Sequence, residues 1–207
     1  MLSKTIVAAI LLCASFEASA QDSFFGHLRV TAAEWALLPP YCADLYSHRD
    51  IPETAVSRWL PVLGSNPGLH HYCKGLLHLM RLATYTGNPA RTNKRFEWGV
   101  VVNEFDYVLQ RAKPDFILLP EILTKRAEMM ANLGNRAQAI RNYQEAIDKK
   151  RDYWPPYAGL ATLLKQQGQD DKAREVVEAG LAQSPDSKTL RRLEQELRST
   201  SGGERRK

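Results

Sequence analysis

The residues best suited to chemistry in this chain lie in one short stretch, His70-His71-Tyr72-Cys73, followed by His78. Imidazole and thiolate both suit soft and borderline metals, and on a helix His70 and Cys73, three apart, share a face. His71 and His78, seven apart, share another. A metal centre needs three or four such ligands, and no second cluster in the chain supplies the rest. A second use for Cys73 is a disulfide with Cys42, the other cysteine downstream of Cys13. Both follow a tyrosine, in PPYCADLY and HHYCKGLL. In an oxidising compartment an even number of cysteines points to a bridge, and this one would close a loop of about 30 residues, worth roughly 3–4 kcal/mol. A bonded sulfur is a poor metal ligand, so the two uses compete. The disulfide Cys42–Cys73 is the expectation, with no metal site and no cofactor. A thiol- or metal-handling protein built on Cys42, Cys73, His70 and His71 is the alternative.

Other catalytic arrangements are missing. The chain has no phosphate-cradling glycine loop, nucleophile elbow or zinc-protease motif. Its carboxylates fall on solvent faces and at helix starts, as Asp170-Asp171 do, where the helix dipole favours negative charge. Met129, Met130, Trp154 and Tyr157 recur at core spacing. The expectation is a protein that is not an enzyme.

The elements that position these residues come from a phrase that occurs twice. MMANLGNRAQAIRNYQEAIDKK and LLKQQGQDDKAREVVEAGLAQSP align at an offset of 34, placing Gly134 on Gly168, Ala139 on Ala173, Tyr143 on Val177 and Ala146 on Gly180. Self-similarity at this period marks a helix–turn–helix repeat. The glycines suit the tight turn inside a repeat, where positive φ ends the first helix. The alanines let the second helix approach the first, and Tyr143 and Val177 fill the space between them. With Trp154, Tyr157, Leu160, Ala161 and the closing Pro185, the second copy resembles the tetratricopeptide repeat. The first copy departs from that pattern at Leu123 and Arg151.

A distorted third copy lies upstream. If Gly87 is its turn, Leu76, Leu79, Met80 and Ala83 pack the first helix, and Val101, Phe105 and Val108 pack the second, after a polar and basic insertion around NPARTNKR. Apolar spacing with breaks at Pro and Gly predicts helices over 52–62, 68–86, 97–112, 117–133, 136–149, 154–167, 170–183 and 187–198. The last carries one apolar stripe, Leu190, Leu193 and Leu197, as a capping helix should. The expected fold is therefore all-α: a tetratricopeptide-like helix–turn–helix solenoid of about three repeats, with N-terminal helices and a C-terminal cap. Its divisions are a signal peptide at 1–20, a helical leader at 21–66, repeats at 67–198 and a disordered tail at 199–207.

The signal reading rests on a basic start, a short apolar run over 5–16 and the small-x-small site Ala18-Ser19-Ala20. The run is too short to span a bilayer, and Leu12 before Cys13 argues against a lipid-attachment site. The expected destination is the periplasm, through the Sec pathway. The 28 Lys+Arg against 23 Asp+Glu leave a net charge of +5. That excess is partly in the tail, and no basic–aromatic platform for nucleic acid is present.

The resemblance implies a partner-binding groove on the first helices of successive repeats. Carried onto this chain, its positions are Lys74, His78, Arg81, Thr84 and Tyr85. They continue with Glu121, Thr124, Lys125, Glu128 and Asn132, then Ala158, Thr162, Lys165 and Gln166. The regular Lys/Asn set that clamps a C-terminal carboxylate in chaperone-binding relatives is absent. The expected role is a non-catalytic periplasmic protein-binding module, a scaffold or assembly factor for an envelope complex, with a protein or peptide partner.

Overall fold

The computed structural model describes residues 28–48, 50–66, 68–84 and 93–204. The proposed signal peptide, Tyr85, Gly87, much of the basic insertion and 205–207 lie outside the described residues. Within them the chain is helical, with no strand: α1 (Ala32–Leu37), α2 (Pro40–Tyr46), α3 (Glu53–Leu63), α4 (Leu69–Thr84), α5 (Lys94–Leu109), α6 (Leu119–Asn132), α7 (Arg136–Lys149), α8 (Pro155–Gln166), α9 (Asp170–Gln183) and α10 (Lys188–Glu204).

The turns inside the two regular repeats are built alike. Gly134 has φ 89° and Gly168 φ 71°. At the first, Asn135 N donates to Met130 O at 2.8 Å and Gly134 N to Ala131 O at 3.0 Å. At the second, Gln169 N donates to Leu164 O and Gly168 N to Lys165 O, both at 3.0 Å. This pair of bonds closes the orphan carbonyls of α6 and α8 and needs one left-handed residue, which glycine adopts without strain.

Behind the turns the register follows the sequence pattern. Ala139, Ala146, Ala173 and Val177 are fully buried and Tyr143 nearly so. Val101, Phe105 and Val108 are fully buried at the matching places of α5. Consecutive helices pack as antiparallel neighbours from α4 to α10, and α6, α8 and α10 also pack side by side. That second set of contacts turns a row of hairpins into a solenoid with an inner face. Leu190, Leu193 and Leu197 all face inward from α10.

Several expectations are corrected in detail. In α4 the interior residues are Leu69, Tyr72, Cys73, Gly75 and Leu77. Leu76, Leu79 and Met80 are only half-buried, and Ala83 is exposed. The rotation has two causes: Gly75 admits the Phe105 ring, and α2 covers the side bearing Cys73. Helix α5 starts earlier than expected, because Asn93 Oδ1 accepts from Phe96 N at 3.1 Å and caps it. The tail expected over 199–207 is helical as far as Glu204. The leader holds two short helices, α1 and α2, where the apolar spacing predicts no defined helix. The first is set by a capping box, in which Glu34 N donates to Thr31 Oγ1 at 3.2 Å and Thr31 N to Glu34 Oε2 at 2.8 Å.

Candidate functional site

The helix carrying the histidines is tied on two sides. Cys42 of α2 and Cys73 of α4 are bonded, with S–S 2.05 Å and Cα atoms 5.6 Å apart, and both are fully buried. On the other side His71 Nδ1 lies 2.5 Å from Glu104 Oε2 and His78 Nδ1 lies 3.1 Å from Glu97 Oε2. Both pairs bridge α4 and α5. The His71 ring stacks on Tyr107 at 3.7 Å, beside His70 at 4.3 Å, and Arg111 covers Tyr107 at 3.5 Å. Among the described residues no three His, Cys, Asp or Glu side chains converge on a point that could hold a metal ion. The thiol- and metal-handling alternative thus loses its sulfurs to each other and one of its imidazoles, His71, to a contact with Glu104.

The inferred groove positions divide into two sets. On α4, Arg81 is already engaged: its Nε donates to Glu34 Oε1 at 2.7 Å and its Nη2 to Arg29 O at 2.6 Å. The guanidinium holds the Glu34 carboxyl down at about 2. Arg81 therefore ties α1 to α4 and leaves the groove set, as His78 does through Glu97. Lys74 is half-buried on the same helix and also makes an interaction of its own. Tyr85 lies outside the described residues. Thr124 turns inward, donating to Pro120 O at 2.6 Å. The leader closes this end: burial, reinforced by the nearby Glu121 carboxylate, pushes the phenols of Tyr41 and Tyr72 up. Tyr41 of α2 thus stands beside the first groove position of α6.

The second set stays together and open. The inner faces of α6, α8 and α10 enclose a cleft of about 460 Å³, within the range of about 300–1,000 Å³ usual for ligand sites. Glu128 and Asn132 line one wall, Thr162 and Gln166 the next, and Thr189 and Arg192 the third. Its floor is apolar, made by Met129, Ala158, Leu163 and Leu193, and Tyr143 and Trp154 close one end. Glu121 and Lys125 continue the α6 wall as an ion pair at 3.8 Å. Lys165 continues the α8 wall and pairs with Glu196 of α10 at 3.1 Å.

The groove positions expected on α6 and α8 line this cleft, and those on α10 were not expected. Thr189 and Arg192 stand where a further repeat would place its groove residues, yet α10 read only as a cap. The signal was there, since its leucine stripe leaves the next face free to border the groove. Trp154, which the repeat pattern supplied as a core aromatic, is 38% exposed at the cleft's end.

Residues 132–197 match the model of the family described as Tetratricopeptide repeat. A search of curated proteins returns no match. Among solved structures the chain is similar to the TPR domain of Arabidopsis OM64 (TM-score 0.51, 16% identity, 64% of this chain and 95% of that one). It is also similar to the Sgt2 TPR domain from Aspergillus fumigatus (TM-score 0.54, 15% identity, 69% of this chain and 84% of that one). At these identities the likeness speaks for the fold. With the match of 132–197, the paired turns at Gly134 and Gly168 and the buried Ala139 and Ala173, this part of the chain is built of tetratricopeptide repeats.

Proposed function

We propose that this protein is a non-catalytic binding module of the bacterial cell envelope, exported to the periplasm, where it serves as a scaffold or assembly factor. The observation that carries the reading is the open cleft between α6, α8 and α10, which has an apolar floor and polar walls. An extended polypeptide fits such a trough: alternate side chains reach the floor, and Asn132, Thr162 and Gln166 offer hydrogen bonds to its backbone. The periplasmic address is supported by the leader-like first twenty residues and by a buried disulfide, a bond that persists in oxidising compartments.

A photo-crosslinking residue placed at Thr162 should trap a discrete partner in intact cells, whereas one at Glu145, exposed on α7, should not. Equal trapping from both positions, or from neither, would refute the cleft as the binding surface. The address is tested separately by fractionation and N-terminal sequencing. A mature chain starting at Gln21 in the periplasmic fraction is expected, and an uncleaved chain in the cytoplasm would overturn it.

A further inference from the structure

The charges around the cleft do not cancel evenly. Lys165 and Arg192 both reach Glu196, at 3.1 Å and 3.7 Å. Lys125 reaches back to Glu121 at 3.8 Å. Glu128 is the exception: among the described residues its carboxylate makes neither an ion pair nor a hydrogen bond, although it lines the cleft. Its side chain is exposed on the cleft wall, and Lys125 is the cation that acts on it. A carboxylate on the wall of a cleft, with no ion pair of its own, favours a cation that can reach it.

Aromatic residues line the same cleft. Tyr143 is buried against Gly159 and contributes to the base of the cleft. Trp154 stands partly exposed at one end. Aromatic faces attract cations, and they also shelter the methylene stem that carries an ammonium or guanidinium.

We propose that Glu128, with the partly exposed Trp154 in the same cleft, forms an anchor pocket for a basic side chain, Lys or Arg, projecting from an extended segment of the partner polypeptide. The proposal rests on the cleft being the binding surface and adds what the partner must present there. The anchor's charge would be matched by Glu128, its stem would lie along Trp154, and the flanking backbone would run past Asn132 and Thr162. The anchor also sets a direction of selectivity. An acidic or C-terminal carboxylate ligand would meet Glu128 as a like charge, whereas a basic one relieves it.

The test uses the full chain, isotopically labelled, and four short acetylated and amidated Gly/Ser peptides carrying one central Lys, Arg, Glu or Leu. Amide shifts at Glu128, Asn132 and Thr162 are followed as each peptide is added to millimolar concentration. The Lys and Arg peptides should give saturable shifts at these amides, with the Glu and Leu peptides about tenfold weaker or more, the size expected for one charge-assisted contact. Glu128→Gln should erase that preference, weakening the Lys peptide about tenfold while leaving the Leu peptide unchanged and not lowering the melting temperature. If all four peptides shift the cleft amides alike, or if Glu128→Gln leaves Lys binding intact, the basic anchor is wrong and the cleft reading survives. Tighter binding of the Glu peptide would also overturn it. If no peptide shifts these amides, the cleft reading falls together with the anchor.

Discussion

Replacing both bridging cysteines by alanine tests how the leader is held. Cys42 and Cys73 are 31 residues apart in sequence, and loop-closure entropy for that span amounts to about 12 cal/mol/K, or about 3.7 kcal/mol at 25 °C. Both side chains are fully buried, so alanine, which adds no hydroxyl to the apolar site, isolates the bond from a polarity change. In a chain of this length the loss corresponds to a fall in melting temperature of about 7–15 °C if unfolding is one transition. The structure argues that it will not remain one. Without the bond, α1 and α2 are attached to α4 by Arg81–Glu34 and by the packing of α2 on α4. The regular repeats carry neither cysteine. Denaturant melts of the Cys42→Ala/Cys73→Ala protein should therefore show an early leader transition. Hydrogen exchange should accelerate over 40–46 and 53–63 while the amides of α6 to α9 keep their protection. An unchanged midpoint, or two titratable thiols in the folded parent, would refute the bridge as a structural staple. Uniform loss of protection through α9 would refute the idea that leader and repeats are separable.

Three further outcomes are expected. Gly75→Ala should destabilise by about 1–2 kcal/mol in chemical melts, although alanine is the better helix former by about 1 kcal/mol. Its Cβ would come within 2.9 Å of Phe105 Cδ1 and nearer still to Cε1, on a ring with no exposed surface, and a more stable variant would contradict the α4–α5 packing. Ala139→Trp and Ala173→Trp should each cost about 1–3 kcal/mol or more, because both sites are fully buried between helices, and parental melting curves would show the repeat register to be wrong. Acid titration of stability should separate two carboxylates with opposite shifts. Glu34 is lowered from 4.5 to about 2, mainly by Arg81, so its contribution is present above pH 4.5 and is lost as pH falls from there towards 2. Glu128 is raised from 4.5 by desolvation, so its protonated form favours the native state below pH 4.5, and that advantage is lost as pH rises through its folded value. Glu34→Gln should flatten the acid limb, and Glu128→Gln should be more stable than the parent at neutral pH. The reverse order of effects would refute both assignments.

What could be read from the sequence was whatever is repeated or local. The offset between Gly134 and Gly168, with the alanines five residues beyond each, determined the hairpin, its turn and its buried face, because a period-34 unit cannot bury its apolar side without a neighbour. The pairing of Cys42 with Cys73 could be expected because they are the two cysteines downstream of the proposed signal peptide. Only the tertiary structure decided the functional surface. Arg81 and His78 occupy groove positions by count, yet a leader from elsewhere in the sequence supplies Glu34 to one, and α5 supplies Glu97 to the other. Among the described residues the same physics leaves Glu128 without an ion pair while giving Lys125, Lys165 and Arg192 theirs. Which charges are already neutralised depends on contacts between residues tens of positions apart. Periodicity reports the face a side chain occupies, and packing determines what it meets there.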